Sequence, residues 1–251
     1  MKQLNNKIAI VTGAGSGFGK GIAEAYVKEG AKVIIAELNS KAGMEVAKRL
    51  GDNAKAVDCD VTDLNSIKNM VNICLDEFGI PDIVVNNAGT THKNQPLLEV
   101  EEAVFDKIFN VNVKSIYYLT NVVVPILRKR GQGGVIINVG STAGIRPRPG
   151  LTWYNASKGA VNLLSKSMAV ELAPDNIRVN ALCPVMGATG LLEDFMGLDD
   201  TPQNRAKFIS TIPLGRMCEP SDMGSAAVFL ASDSSNFLTG MEMPVDGGRT
   251  I

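Results

Sequence analysis

The chain of 251 residues alternates short apolar runs with longer segments of helical spacing. Runs such as Ile83-Val84-Val85 and Val135-Ile136-Ile137 contain no polar residue. Uninterrupted β-branched runs are typical of strands buried on both faces, and helices between them imply parallel crossovers. Seven strands are predicted, over Lys7–Thr12, Lys32–Glu37, Lys55–Asp58, Ile83–Asn86, Val135–Val139, Ile177–Cys183 and Met243–Val245. The expected fold is therefore α/β, a doubly wound and mostly parallel sheet flanked by helices.

The length and the absence of repeats or linkers predict one domain over residues 1–251. Residues 186–215 interrupt the strand–helix rhythm, and they are rich in glycine and proline. We interpret this stretch, about 186–215, as a substrate lid.

Charge and cysteine content exclude several classes of function. The 25 basic and 26 acidic residues leave a net charge of −1, so neither a nucleic acid nor a membrane is expected as a partner. The first apolar run, Ile8–Val11, is too short for a signal peptide or a spanning helix, which favours a cytoplasmic protein. The four cysteines stand far apart in the sequence and form no CxxC pair, so neither a metal site nor a disulfide framework is expected.

A glycine-rich segment, Thr12-Gly13-Ala14-Gly15-Ser16-Gly17-Phe18-Gly19, follows the first predicted strand and opens a helical pattern. Glycines there provide positive φ and let the backbone approach a pyrophosphate, whose charge then lies at the helix N-terminus. The order of strand, turn and helix favours a dinucleotide site over an ordinary flexible turn.

The second predicted strand ends in Glu37, which is suited to accept hydrogen bonds from the adenosine ribose hydroxyls. Its carboxylate would repel a 2′-phosphate, and Ser16, Leu38 and Asn39 supply no compensating charge. NAD is therefore favoured over NADP. Lys41 downstream leaves NADP open, and a solvated strand end is the alternative for Glu37.

Further motifs give the chain a resemblance to the short-chain dehydrogenase/reductase family over essentially its whole length. The matching pieces are the glycine-rich turn 12–19, Asp60-Val61, Asn86-Asn87-Ala88-Gly89, Asn112, Ser141, Tyr154-Asn-Ala-Ser-Lys158, and Pro184 with Thr189. The resemblance implies a single Rossmann-like domain of seven strands, with hydride transfer between a nicotinamide and a CH–OH group.

The catalytic residues implied are Asn112, Ser141, Tyr154 and Lys158. Tyr154 and Lys158 are four residues apart in a helical pattern and so project from one helix face. We expect Tyr154 to be the acid/base, with its pKa lowered by the Lys158 ammonium and the nicotinamide cation. Ser141 is expected to hold the substrate oxygen and to stabilise developing charge, and Asn112 to take part in a proton relay.

The resemblance also gives a set of expected cofactor contacts. Besides Tyr154 and Lys158, they are Gly13, Ser16, Gly17, Phe18, Gly19, Glu37, Asp60, Val61, Asn87, Ala88, Gly89, Pro184, Val185 and Thr189. An Asx turn is the alternative for Asp60. Val185 departs from the Pro-Gly pair usual in the family and is expected to narrow the pocket.

Several polar residues remain without an assigned role. The lone histidine, His92, is interpreted as a residue of the pocket rim or the surface, not as a catalyst. Arg146 and Arg148 either shape the substrate mouth, where they could meet a carboxylate or phosphate, or are simply solvated.

The leading hypothesis is an NAD-dependent dehydrogenase or reductase of a secondary alcohol/ketone pair. One alternative is a 3-oxoacyl-thioester reductase of the acyl-carrier-protein type using NADPH, for which Arg128, Lys129 and Arg130 are candidate contacts at the mouth. Another is a non-catalytic NAD-binding sensor. The terminal segment 237–248 resembles the family strand that packs across a two-fold axis, which implies a homotetramer.

Overall fold

The computed structural model describes residues 2–187 and 190–251. Its centre is a seven-stranded sheet with the order β3-β2-β1-β4-β5-β6-β7, in which every pair of neighbours is parallel. The strands are β1 (Ile8–Thr12), β2 (Lys32–Glu37), β3 (Ala54–Asp58), β4 (Ile83–Asn86), β5 (Gly134–Val139), β6 (Ile177–Pro184) and β7 (Glu242–Val245). The predicted doubly wound α/β fold is confirmed.

Five strand ends differ by one residue from the prediction. Strand β1 begins one residue later than predicted, whereas β3, β5, β6 and β7 are one residue longer because backbone pairing continues past the apolar side chains. Gly134, for example, pairs with Ile177 although it has no side chain to bury. The chain builds outward from β1 to β3 on one side and from β4 to β7 on the other. Such a reversal opens a crevice at the carboxyl ends of the strands, where ligands of α/β sheets bind.

Helices cover both faces of the sheet. They are α1 (Gly17–Lys28), α2 (Ser40–Leu50), α3 (Leu64–Glu77), α4 (Glu102–Phe109), α5 (Ser115–Arg130), α6 (Thr152–Leu172), α7 (Leu192–Met196), α8 (Pro202–Ile209) and α9 (Pro220–Ala231). Along β1, Ala9 and Val11 pack against α1 and α9, whereas Ile10 packs against α3 and α5. Both faces are buried, which explains why the strands lack polar alternation.

The segment predicted as a lid forms the short helices α7 and α8 where it is described. Met186, Leu192 and Met196 pack there with Met217 into a small apolar cluster. Phe195, Phe208 and Ile209 complete this cluster. Within the described ranges, no helix has both the length and the apolar composition needed to cross a bilayer.

Candidate active site

A cavity of about 540 Å³ opens at the carboxyl ends of the strands. It is lined by every predicted site residue except Gly19, Asn112 and Thr189. Thr189 lies outside the described residues. The predicted site residues that line the cavity therefore converge on one crevice, although they come from nine separate positions along the chain.

The glycine-rich turn forms one wall of the cavity. Gly13 and Gly17 have φ values of +62° and +51°, which favour glycine. Gly19 lies behind the wall, where a Cβ would stand 2.3 Å from both the Gly13 carbonyl oxygen and Asn87 Nδ2. Asn87 Nδ2 itself donates to the carbonyl oxygens of Thr12 (2.8 Å) and Gly13 (3.1 Å). Gly19 thus permits the close contact that braces the turn against the loop after β4.

Acidic residues lie at the β2–β3 end of the cavity. Glu37 Oε2 accepts a hydrogen bond from Gly15 N at 2.9 Å, and its Oε1 accepts one from Asn39 N at 3.1 Å. Asp60 Oδ1 accepts from Thr62 N (2.8 Å) and Thr62 Oγ1 (2.7 Å), which is the Asx turn given above as the alternative. Both carboxylates also line the cavity, so the turn and a cofactor contact are compatible at Asp60.

Ser141, Tyr154 and Lys158 lie at the other end, beyond β5. Ser141 follows the strand and caps a 3₁₀ turn, Thr142–Gly144, by accepting from Ala143 N at 3.0 Å. Tyr154 and Lys158 project from the first two turns of α6 and are both buried. Lys158 Nζ donates to the Val139 carbonyl oxygen at 2.8 Å and lies 6.0 Å from the centroid of the Tyr154 ring.

Burial governs the protonation of this pair. It raises the pKa of Tyr154 to about 12, and interaction with the Ser141 hydroxyl and the positive charge of Arg148 oppose that rise. Burial also lowers the pKa of Lys158 to about 8. The direction is therefore opposite to the expected lowering of the Tyr154 pKa by Lys158, because desolvation by burial is the largest influence on the Tyr154 hydroxyl.

Asn112 lies behind the cavity, in a π-helical turn (Asn110–Lys114) between α4 and α5. Its Oδ1 accepts from Thr90 N at 2.8 Å, and its Nδ2 donates to Thr90 O (2.9 Å) and Ser157 Oγ (3.0 Å). A Cβ at Gly89 would lie 3.4 Å from Asn112 Oδ1 and 3.5 Å from Lys158 Nζ. The amide oxygen and the ammonium therefore border the same small space.

Comparison with known proteins identifies the family. A family model described as enoyl-(acyl carrier protein) reductase matches residues 13–250. 4-Formylbenzenesulfonate dehydrogenase of Comamonas testosteroni is 46% identical over 251 residues, covering 99% of each chain. Cyclopentanol dehydrogenase of a Comamonas species is 36% identical over 253 residues, covering 100% of this chain and 99% of the relative. The chain belongs to the short-chain dehydrogenase/reductase family.

A solved structure agrees with this assignment. The 3-ketoacyl-(acyl-carrier-protein) reductase of Brucella melitensis, complexed with NADH, is similar with a TM-score of 0.94 at 45% identity. The match covers 99% of this chain and 100% of that one. As a member of this family, the protein is an oxidoreductase.

Val185, the departure from the family's usual Pro-Gly pair, is 3% exposed and lines the cavity. Its amide donates to the Val245 carbonyl oxygen at 3.1 Å, which ties the chain to β7. The carbonyl oxygen of the preceding residue, Pro184, accepts a hydrogen bond from Thr142 Oγ1 at 3.3 Å. In this dehydrogenase/reductase, the backbone at the C-terminal end of β6 is thus held by hydrogen bonds to β7 on one side and to the turn after β5 on the other.

Some lining residues escaped the sequence analysis or were left open by it. Phe195 of α7 contacts Tyr154 edge to face, with ring centroids 5.0 Å apart and planes at 68°. Arg148, left open between mouth and solvent, lines the cavity. No periodic signal marks either residue, since both lie outside the long regular elements. The nearest hints are an aromatic residue in segment 186–215 and an arginine just before α6.

Two interpretations prove wrong. His92 is 4% exposed, does not line the cavity, and forms a hydrogen bond between Nδ1 and Lys93 O at 2.8 Å, so it is neither a rim nor a surface residue. The basic run at the end of α5 is not at the mouth. Arg130 pairs with Asp82, just before β4, at 2.9 Å, which places it at the amino ends of the strands, opposite the cavity.

Proposed function

We propose that this family member is an NAD-dependent oxidoreductase that transfers a hydride between the nicotinamide and a secondary alcohol/ketone substrate. The observation that supports the proposal most strongly is the charge layout of one cavity. Glu37 lies at its β2 end, whereas Ser141, Tyr154 and Lys158 lie beyond β5. That separation fits a dinucleotide lying along the strand ends with a substrate beside its far end.

The residues that would hold the dinucleotide fit it on two grounds. The glycine-rich turn presents the N-terminus of α1 to the cavity, as pyrophosphate binding requires. Glu37 is fixed by two backbone amides, with carboxylate lone pairs left to accept ribose hydroxyls. NAD is proposed over NADP because this carboxylate faces the cavity, while Lys41 is exposed and is not among the lining residues.

When bound, the nicotinamide dinucleotide supplies or accepts the hydride. The Tyr154 hydroxyl donates a proton to the substrate oxygen during reduction and receives it back during oxidation. A raised pKa keeps Tyr154 protonated at neutral pH, as the reductive direction requires. The Ser141 hydroxyl holds the same substrate oxygen and stabilises its developing negative charge.

Lys158 and Asn112 take part in replacing the proton that Tyr154 gives up. The pKa of Lys158, about 8, lies close enough to neutrality for its ammonium to give up and regain a proton. Asn112 Oδ1 and Lys158 Nζ border the same space beside Gly89, and we propose that a proton passes between the site and solvent there.

The second candidate is reduction of a 3-oxoacyl thioester with NADPH. The Brucella melitensis relative is named as a 3-ketoacyl-(acyl-carrier-protein) reductase, although its structure is a complex with NADH. The position of Arg128 and Arg130 opposite the cavity removes the basic contacts expected for an acyl carrier protein. Arg128 pairs with Asp175 at 2.8 Å and Arg130 with Asp82 at 2.9 Å. The alcohol/ketone proposal therefore stands first, and the sensor alternative is disfavoured by the intact Tyr154–Lys158 pair.

The test is an assay of nicotinamide absorbance with both NADH and NADPH, on ketones, aromatic aldehydes and acetoacetyl-coenzyme A. Aldehydes are included because the Comamonas testosteroni relative is named for one. Turnover of ketones with NADH at least ten times more efficient than with NADPH supports the proposal. A higher kcat/KM for the thioester with NADPH establishes the second candidate instead. Tight NADH binding without turnover of any of these compounds supports the sensor.

We also propose a homotetramer in the cytoplasm. Leu163 and Val170 on α6 are 65% and 80% exposed, and Phe237 before β7 is 96% exposed, as expected for surfaces that pack against further copies. The four cysteines are buried and unpaired, which favours a reducing compartment. Segment 186–215 is proposed as the substrate lid because Met186, Leu191 and Phe195 line the cavity.

A further inference from the structure

Arg148 lies at the substrate end of the cavity. It belongs to the segment between the turn after Ser141 and the start of α6, and it lines the cavity together with Ser141 and Tyr154. The positive charge of Arg148 acts on the Tyr154 hydroxyl and opposes the rise of that pKa. The guanidinium is therefore within electrostatic range of the atom that handles the substrate oxygen.

This guanidinium has no anionic partner in the described part of the protein. No carboxylate lies within 4.0 Å of it, and none of its N–H groups donates a hydrogen bond there. By contrast, five arginines in the described residues do pair with carboxylates: Arg49, Arg128, Arg130, Arg205 and Arg216. Burial and the nearby positive charge of Arg249 both lower the pKa of Arg148. A half-buried cation in this position is costly unless an anion joins it.

The Arg148 side chain is nonetheless held in place. Its guanidinium carbon lies 5.3 Å from the centroid of the Phe208 ring in α8, a cation–π contact. Its carbonyl oxygen accepts a hydrogen bond from Asn155 Nδ2 at 2.8 Å, which fixes the backbone to α6. An ordered, unpaired guanidinium presents a rigid fork of donors that matches carboxylate or sulfonate oxygens.

The charges that line the cavity are separated along the sheet. Glu37 and Asp60 lie beyond β2 and β3, three and four strand positions from β5. At about 4.8 Å per strand, that is roughly 14–19 Å from the substrate end, longer than the Debye length of about 8 Å at physiological salt. The third lining cation besides Arg148 and Lys158 is Lys107, which is exposed on α4. Lys158 already donates to the Val139 carbonyl oxygen, so Arg148 is the half-buried lining cation left to meet a substrate anion, and no lining carboxylate competes with that anion locally.

The walls between Arg148 and Tyr154 are apolar. Leu151 is fully buried and packs with Ala143 and Tyr154, and Phe195 covers the Tyr154 ring edge to face. Leu191 and Met186 also line the cavity. A flat apolar body fits such walls, and a charged group fits at the arginine.

We propose that Arg148 binds an anionic group of the substrate, so that the substrates of this site are alcohols and carbonyl compounds with an apolar, aryl-like body that carries a carboxylate or sulfonate. The inference rests on the proposed function, because it names the substrate class of the same site.

The test is calorimetric titration of 3- and 4-acetylbenzoate, and of the neutral 3- and 4-acetylbenzamides, into enzyme saturated with NAD⁺. Oxidised cofactor leaves the ketones unreacted, so binding is measured without turnover. The wild type is expected to bind at least one benzoate about 10- to 100-fold more tightly than its amide, as for a hydrogen-bonded charged pair. Arg148→Gln removes that preference, and Arg148→Lys keeps part of it.

Arg146→Gln is the matched control. Arg146 is in the same segment and carries the same charge, but it is exposed, does not line the cavity, and donates to the Arg249 carbonyl oxygen. This variant is expected to keep the preference for the anion. The inference is overturned if wild-type enzyme binds neither benzoate more tightly than its amide, or if Arg146→Gln loses the preference to the same extent as Arg148→Gln. A preference retained in full by Arg148→Gln overturns it as well. If Arg148→Gln does not fold, Arg148→Lys and the wild-type comparison still test the inference, because an undiminished preference in the former or none in the latter refutes it.

Turnover with NADH separates this inference from the proposed function. Reduction of the amides without any preference for the benzoates leaves the proposed function standing and refutes the role of Arg148. A preference in binding with no turnover of any ketone refutes the proposed function instead, and leaves an anion site without chemistry.

Discussion

Replacement of Glu37 by glutamine is expected to shift the enzyme from NADH towards NADPH. Glu37 is half-exposed at the end of β2, and its carboxylate is held by the amides of Gly15 and Asn39. Two unit charges about 5 Å apart repel by roughly 1–2 kcal/mol at an effective dielectric between 40 and 80. Because a phosphate carries up to two negative charges, the repulsion removed by the substitution is about 1–3 kcal/mol.

This free energy corresponds to a rise of roughly 5- to 150-fold in kcat/KM for NADPH. Efficiency with NADH falls by about 10-fold, since the ribose hydroxyls lose a charged acceptor. The assay measures initial rates of ketone reduction against the concentration of each cofactor. Asp58→Asn is the matched control: Asp58 pairs in register with Glu37, is exposed, and does not line the cavity. An unchanged NADH/NADPH ratio in Glu37→Gln, or an equal change in Asp58→Asn, refutes the reasoning.

Three further variants test the site and the assembly. Gly19→Ala places a Cβ 2.3 Å from the Gly13 carbonyl oxygen, so we expect about 1–3 kcal/mol of destabilisation and at least 10-fold weaker NADH binding by fluorescence. Lys158→Met removes an ammonium whose pKa is lowered by burial to about 8. Keeping Lys158 charged in the folded protein costs about 3 kcal/mol of unfolding free energy at pH 7. Loss of its hydrogen bond to the Val139 carbonyl oxygen offsets about 1 kcal/mol of the gain on substitution. Stability of the wild type therefore rises with pH from about 8 to 10, and the variant's advantage of about 2 kcal/mol at pH 7, measured by denaturant melts, disappears above that window. Phe237→Asp is expected to lower the mass measured by light scattering below that of the proposed tetramer of four 26.7 kDa chains. An unchanged mass places the interface elsewhere.

Much of the architecture is readable from local sequence because the central strands, such as β1 and β4, are apolar on both faces. The run before Asn86 alternates between two cores, with Ile83 and Val85 in one and Val84 in the other, so burial on both faces leaves a continuous apolar signature. The glycine-rich turn could also be predicted from the sequence, because Gly13 and Gly17 adopt the positive φ values that favour glycine.

The chemistry of the site depends on contacts that no local pattern contains. The hydrogen bond from Lys158 to Val139 joins a helix to the neighbouring strand across 19 residues. Burial, which depends on packing from several elements, raises the pKa of Tyr154 against the expected direction. Arg148 and Phe195 reach the cavity from irregular or short segments, whose course periodicity does not predict. The position of Arg130, in contrast, was predictable: α5 runs into β5, so its C-terminal end lies at the amino edge of the sheet.

The central claim is that hydride transfer to a substrate carbonyl carbon is coupled to a proton from Tyr154. The most direct measurement is the transfer of deuterium from [4-²H₂]NADH to the carbinol carbon of a reduced ketone, followed by mass spectrometry in the wild type, Tyr154→Phe and the exposed-tyrosine control Tyr117→Phe. We predict deuterium at the carbinol carbon in the wild type and the control, and a rate lower by about 10²- to 10⁴-fold in Tyr154→Phe, with NADH affinity retained. Wild-type turnover without deuterium in the product, or an undiminished rate in Tyr154→Phe, contradicts the account.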